Sequence, residues 1–326
     1  MMQYLKHIVL FLLTLLTTTV AGLIWQNDYD LSHFSKGLPY SLSLLFILSC
    51  HEFGHYFAAR HHKVNVTLPF YIPFPPILIS FGTFGAVIRT RQIIPSRKAI
   101  FDIGIAGPIA GFVASMFVLA VGFLTLPGKE FLLGIHPDYN FATGTIPNVP
   151  EGNTLVFGST LLYKAFQFVF AKPGAYVPPM TEMYHYPFLI TGWFGLLVTS
   201  LNLLPAGQLD GGHILYAMLD KYHRTIGRIT AAVLACMGFI GSFPAIAELL
   251  KMGNFSPIST GNLTSLPAIF WPGWLFWALL IMFVIKTGHP TMEDHEPLTP
   301  NRKLIGCSAI VMFVLCFSPA PIYFAP

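Results

Sequence analysis

Long apolar runs separated by short basic segments dominate the chain. Residues 5–25, 38–60, 100–126, 187–204, 229–250, 267–285 and 304–323 are each close to the ~20 apolar residues needed to cross a bilayer. The fourth run continues unevenly through Pro205-Ala-Gly-Gln-Leu-Asp210-Gly-Gly-His213 to Leu219. Open sheet edges cannot face lipid, and these runs are too long and too uniformly apolar for barrel strands. The pattern therefore predicts an all-α polytopic membrane protein with about seven transmembrane helices. Thr19-Val-Ala21 resembles a leader cleavage site, but the first run is long for a leader and is expected to stay as an uncleaved span.

Two stretches break the pattern. Residues 64–98 include Leu68 to Ile88, which is apolar yet holds four prolines and two glycines, so it cannot be a regular helix. Non-helical backbone at membrane depth is tolerated only when it is buried in protein or lines a cavity. A re-entrant, β-like loop after the second helix is expected here. Residues 127–186 are the most polar region, and 154–171 within it is either a span or an interfacial helix. Charge decides between the two. With the N-terminus inside and seven spans, 13 of the 18 Lys and Arg fall on the inner side, as the positive-inside rule requires. If 154–171 crossed the membrane, that asymmetry would vanish, so it is expected to stay outside. No internal repeat or long linker appears. The chain reads as one membrane domain, 1–326, with a catalytic core over 38–220 and accessory C-terminal helices over 225–326.

Composition supports this setting. Only 10% of residues are charged and 54% are hydrophobic, whereas a soluble domain is about a quarter charged. The net charge of +4 comes from basic residues flanking apolar runs, which gives no nucleic-acid surface. Cys50, Cys236, Cys307 and Cys316 lie in apolar segments without Cys-x-x-Cys spacing, which argues against a disulfide framework or a thiolate metal site.

The candidate chemistry sits inside the spans. A charged side chain near the centre of a span costs about 2.5–3.5 kcal/mol. Two acids are embedded in this way, Glu52 and Asp210. His51-Glu52-x-x-His55 places two imidazoles on one helix face, with a carboxylate beside the first as a general base. Catalytic zinc commonly takes three protein ligands. Asp210 is the best third, in a stretch whose proline and glycines interrupt the fourth run and leave backbone groups that need a polar cavity. His213, one helical turn after Asp210, either supports the metal or the reacting oxygen or is a plain structural histidine. Asp102 begins the third run near Arg97 and Lys98 and is expected to be interfacial or a helix cap. His61 and His62 are expected at the interface, and Gly107 and Gly111 to permit close helix packing.

Four motifs together resemble the site-2 protease family of intramembrane zinc metalloproteases. They are His51-Glu-Phe-Gly-His55, Phe84-Gly-Ala, Ala106-Gly-Pro108 and Asn202-Leu-Leu-Pro-Ala-Gly-Gln-Leu-Asp-Gly-Gly-His213. The resemblance implies one zinc ion held by His51, His55 and Asp210, with Glu52 as catalytic base. It also implies that Asn202 holds the substrate backbone and that the strand around Gly85 and Ala86 pairs with extended substrate. The implied partners are transmembrane protein substrates and membrane lipids. Residues 127–186 are too short for the PDZ domain that many members carry, which points to the PDZ-less branch. A bacterial inner membrane is favoured, with an organelle membrane as the alternative and the N-terminus cytoplasmic. A divalent metal transporter and a non-catalytic membrane chaperone are the rival functions. A transporter needs polar groups along several spans, and a chaperone needs no complete His/Glu/Asp set.

Overall fold

A computed structural model describes residues 2–77, 80–92, 94–147, 154–252, 269–287 and 296–325. The chain is mostly helical. Its long helices are α1 (Met2–Trp25), α2 (Leu38–His61), α3 (Arg97–Leu124) and α8 (His223–Met252). Shorter helices are α4 (Lys129–Ile135), α5 (Leu161–Phe170), α6 (Pro187–Asn202), α7 (Asp210–Leu219), α9 (Gly273–Leu279) and α10 (Pro300–Cys316). Among the described residues, three helical stretches, Tyr4–Trp25, Arg97–Leu124 and Asp210–Ile246, are long and apolar enough to cross a membrane. The buried polar trio and Arg60 dilute the apolar character of α2, and the fourth run is split into α6 and α7. The last expected run stops being helical at Cys316 and ends in the strand β4 (Ile322–Ala325). Positions 267 and 268 of the sixth run lie outside the described residues.

At the centre, α3 packs against α2, α6 and α7. Trp193, Tyr40, Leu44, Leu119 and Phe123 fill one core between them. Lipid offers little hydrophobic incentive for such packing, so small residues and polar contacts bring the helices together. Ser43 Oγ lies 2.8 Å from Thr191 Oγ1, joining α2 to α6. Ser96, with extended backbone, caps α3 by accepting from the Ala99 N–H.

The irregular stretch folds as an antiparallel hairpin of β1 (Phe70–Pro73) and β2 (Thr83–Val87), with Phe70 opposite Val87 and Tyr71 opposite Ala86. Positions 78, 79 and 93 lie outside the described residues. Helix side chains take up the backbone carbonyls of this stretch. His7 Nδ1 lies 3.0 Å from Pro69 O, and Thr17 donates to Gly82 O at 2.7 Å. Trp25 donates to Ser80 O at 3.1 Å and Tyr40 to Phe81 O at 3.2 Å. Gly82 has φ +77, and a Cβ there would stand 2.6 Å from Thr17 O, so both its conformation and its space demand glycine.

Residues 154–171 form a strand, β3 (Thr154–Phe157), and then α5. Ten helical residues rise only ~15 Å, too short to span. Register pairs Thr154 with Ala325 and Phe157 with Ile322, tying the end of the chain to this loop.

Asp102 is neither a cap nor a bare interfacial group. It accepts two hydrogen bonds from Arg302, at 2.8 and 2.7 Å, and lies 2.8 Å from His62 Nε2. It therefore fastens α10 to the end of α2 and the start of α3. Charge-assisted bonds of this kind are each worth about 1.5–3 kcal/mol. Asp102→Asn is expected to destabilise the chain by a few kcal/mol, read as a lower unfolding midpoint in detergent. An unchanged midpoint would show that α10 is held by packing alone.

Candidate active site

His51, Glu52 and His55 project from one side of α2 and are each less than a tenth exposed. Their spacing on 3.6-residue turns brings the two imidazoles together, with Nε2 atoms 3.1 Å apart. Asp210 is the first residue of α7, where a carboxylate is favoured by the helix dipole. Its Oδ2 lies 3.4 Å from His51 Nε2 and its Oδ1 3.4 Å from His55 Nε2. Ligand atoms on a tetrahedral zinc at ~2.0–2.1 Å stand roughly 3.3 Å apart. The three donors therefore have the separations and the chemistry that zinc takes. His55 Nδ1–H donates to Ile103 O at 2.7 Å, which leaves its Nε2 lone pair facing the cluster.

Glycines make room for this arrangement. A Cβ on Gly107 would fall 2.1 Å from His55 Nε2, and one on Gly111 would fall 3.0 Å from His51 Nδ1. A Cβ on Gly104 would meet His213 Cβ at 2.8 Å, and one on Gly54 would meet Ala106 O at 2.6 Å. Gly104, Gly107 and Gly111 lie along one face of α3 and let that helix approach the imidazoles closely. On the other side, Gly207 takes φ +55 in the break between α6 and α7. A Cβ on Gly211 would sit 2.2 Å from Leu203 O, and one on Gly212 would sit 2.3 Å from Gly207 O. The Asp-Gly-Gly sequence thus lets α7 start directly against the carbonyls of the preceding turn.

A cavity of about 370 Å³ opens onto these groups, and its walls include Glu52, Asn202, His213, Ala86, Val87 and Ile88. Asn202 Nδ2 lies 3.3 Å from His51 Nε2, so the last residue of α6 reaches the same ring nitrogen that faces Asp210. His213 stands on the wall one turn beyond Asp210. Ala86 of β2 lines the cavity and Gly85 does not; Gly85 has φ +95, and a Cβ there would meet nothing within 4 Å, so the positive φ is what calls for glycine. Among the described residues β2 pairs only with β1, which leaves its outer edge open toward the cavity.

A second cluster that sequence reasoning missed gathers His136, Glu182 and His185. The available signal was Glu182-x-x-His185, an i, i+3 pair in the polar region.

Gly107→Ala introduces no polar change, yet it puts a methyl group where His55 Nε2 lies. It is expected to weaken zinc binding by about 10–100-fold, the range seen when a ligand's supporting contacts are disturbed. Zinc titration of the purified chain tests this, and unchanged affinity would refute the glycine argument.

Residues 39–243 match the model of Peptidase family M50. The Arabidopsis thaliana protein named probable zinc metalloprotease EGY1, chloroplastic, is 30% identical over 344 residues, covering 97% of this chain and 53% of that protein. The Arabidopsis thaliana protein named probable zinc metalloprotease EGY2, chloroplastic, is 25% identical over 301 residues, covering 91% of this chain and 44% of that protein. The Oryza sativa subsp. japonica protein named probable zinc metalloprotease EGY1, chloroplastic, is 34% identical over 190 residues, 57% of this chain and 29% of that protein. The chain thus spans about half the length, or less, of these relatives. Their names place them in an organelle, so they do not favour a bacterial inner membrane. No solved structure matches the chain. With the metal-competent triad, the adjacent Glu52 and a family match across most of the helical core, the chain belongs to peptidase family M50, the site-2 protease family its motifs resemble.

Proposed function

We propose that this chain is an intramembrane zinc metalloprotease that hydrolyses peptide bonds within or near transmembrane segments of other membrane proteins. The observation that carries this reading is the meeting of His51, His55 and Asp210 around one point, with Glu52 beside them in a cavity walled by an open strand edge. His51 and His55 from α2 and Asp210 from α7 would hold the zinc. Bound there, zinc supplies Lewis acidity, polarising a carbonyl and making water acidic enough to lose a proton near neutral pH. Glu52 accepts the proton of the attacking water and returns it to the leaving amine as the carbon–nitrogen bond breaks. Asn202 offers an amide donor and acceptor to the substrate backbone. The edge of β2 offers extended substrate a row of main-chain partners, replacing hydrogen bonds lost as a substrate helix unwinds.

The membrane arrangement belongs to the same proposal. Seven crossings with the N-terminus inside keep 13 of 18 basic residues on the inner side. The β1–β2 hairpin is read as re-entrant, supported by side chains of α1 and α2 that take up the carbonyls of Pro69, Ser80, Phe81 and Gly82. Residues 38–220 then form the catalytic core, and 225–326 its accessory helices. A multi-pass setting in an organelle membrane fits both the helices and the relatives. The donors of the triad gather at one depth, which suits hydrolysis better than metal transport.

Glu52→Gln keeps the shape of the side chain and removes its basicity. It is expected to lower cleavage of a model single-span substrate by about 10²–10⁴-fold or more while zinc content stays the same. Full activity in that variant would sink the mechanism. Topology is checked by reporter fusions at Tyr139 and at His223, which are expected to report opposite sides of the membrane. Both on one side would overturn the crossing count.

A further inference from the structure

His136 closes the C-terminus of α4, while Glu182 and His185 stand one turn apart just before α6. The two Nε2 atoms of His136 and His185 are 2.9 Å apart. Glu182 Oε2 lies 3.5 Å from His185 Nε2 and 3.6 Å from His136 Nε2. These edges bracket the roughly 3.3 Å expected between ligands on a tetrahedral zinc. His185 Nδ1–H donates to the Trp25 carbonyl at 2.6 Å, so its Nε2 carries a lone pair toward the cluster. His55 is held in the same way by Ile103 O at the first site. Such a bond on the far ring nitrogen is what orients a ligating histidine.

Hydrogen bonding alone leaves this cluster incomplete. One His–His bond accounts for the 2.9 Å contact, but Glu182 Oε2 is then buried with no hydrogen-bond partner. Glu182 is only 4% exposed, and a buried carboxylate oxygen without a partner is costly. The carboxylate is thus removed from water without a compensating charge beside it. A cation bound by all three groups supplies that charge and uses both lone pairs. A cavity beside Trp25, His136 and His185 gives an ion a way in.

We propose that His136, Glu182 and His185 form a second metal site, for a divalent transition-metal ion of the zinc class, at the end of the bundle where α1 finishes. Imidazole and carboxylate donors in this number suit zinc. The site stands well apart from the first. Trp25 and the start of α2 share this end of the bundle, and His51 is thirteen residues further along α2, about 20 Å by helical rise. The ion ties the end of α4 and the turn leading into α6 to the end of α1. Because α6 carries Asn202 at its other end, this staple fixes the helix that reaches the first site.

The test uses the full chain in detergent with zinc alone as the probe. After zinc loading and removal of free metal, elemental analysis is expected to find two ions per chain. His136→Gln with His185→Gln is expected to keep one ion, and His51→Ala with His55→Ala is expected to keep the other. The retained ion in each variant reports an intact fold. A wild-type chain whose single ion is lost with His136 and His185 supports this site and overturns the first. A His136→Gln, His185→Gln chain that keeps all the zinc of the parent overturns the second site. If that variant does not fold, the unmutated chain decides through labelling with diethyl pyrocarbonate. Zinc is expected to slow modification of His136 several-fold, with magnesium leaving it unchanged, and equal labelling with and without zinc overturns the proposal.

Discussion

Two imidazoles and two carboxylates gather among apolar helices, and His51, His55 and Asp210 find their partners in one another. His51, His55 and Asp210 converge from α2 and α7, with Glu52 alongside. Leaving the Asp210 carboxylate uncompensated would cost several kcal/mol in such surroundings. Packing at the centre follows from this. The α2–α3 contact is made through glycines because imidazole rings, not aliphatic side chains, occupy the space between the helices. The α6–α7 break places Asp210 at a helix start, and Gly207, Gly211 and Gly212 let the chain turn that tightly.

The hairpin obeys the same constraint at the level of backbone. A two-stranded hairpin leaves backbone carbonyls outside its own pairing that need other partners. Side chains of α1 and α2 take them up one at a time, from Pro69 through Gly82. This fastening holds the hairpin to α1 and α2, while Ala86 and Val87 of β2 line the cavity. The first helix, which contributes no residue to the metal triad, acquires a role as the support of the strand that borders it.

At the other end of the bundle, polar residues of the loop regions repeat the design on a smaller scale. A ring nitrogen locked on a backbone carbonyl, a second imidazole and a carboxylate meet at His136, Glu182 and His185 as they do at the first site. Asp102, Arg302 and His62 join α10 to α2 and α3 by ionic bonds without any metal donor geometry. Polar contacts do this fastening because apolar contact with lipid competes with apolar contact between helices.

Local periodicity and the cost of charge in apolar runs were enough to read half of this molecule from its residues. His51, Glu52 and His55 are four helical positions apart or closer, so their meeting is a property of one helix. Asp210 was legible because an acid in an apolar run demands a partner and the triad lacked one. Proline and glycine content marked Leu68 to Ile88 as non-helical, though not which carbonyl each helix side chain would take. Tertiary structure decided the rest. Asp102 looked like an interfacial group because Arg302 is 200 positions away. The pairing of β3 with β4 joins segments whose register no local pattern encodes. His136 and His185 are 49 positions apart in a polar stretch where such residues are ordinary, and only the folding of α4 and the turn before α6 onto the end of α1 brings them together. The sequence by itself determined which groups are too costly to bury alone. The tertiary structure decided which partner each one meets, because contacts between distant segments depend on how whole helices pack.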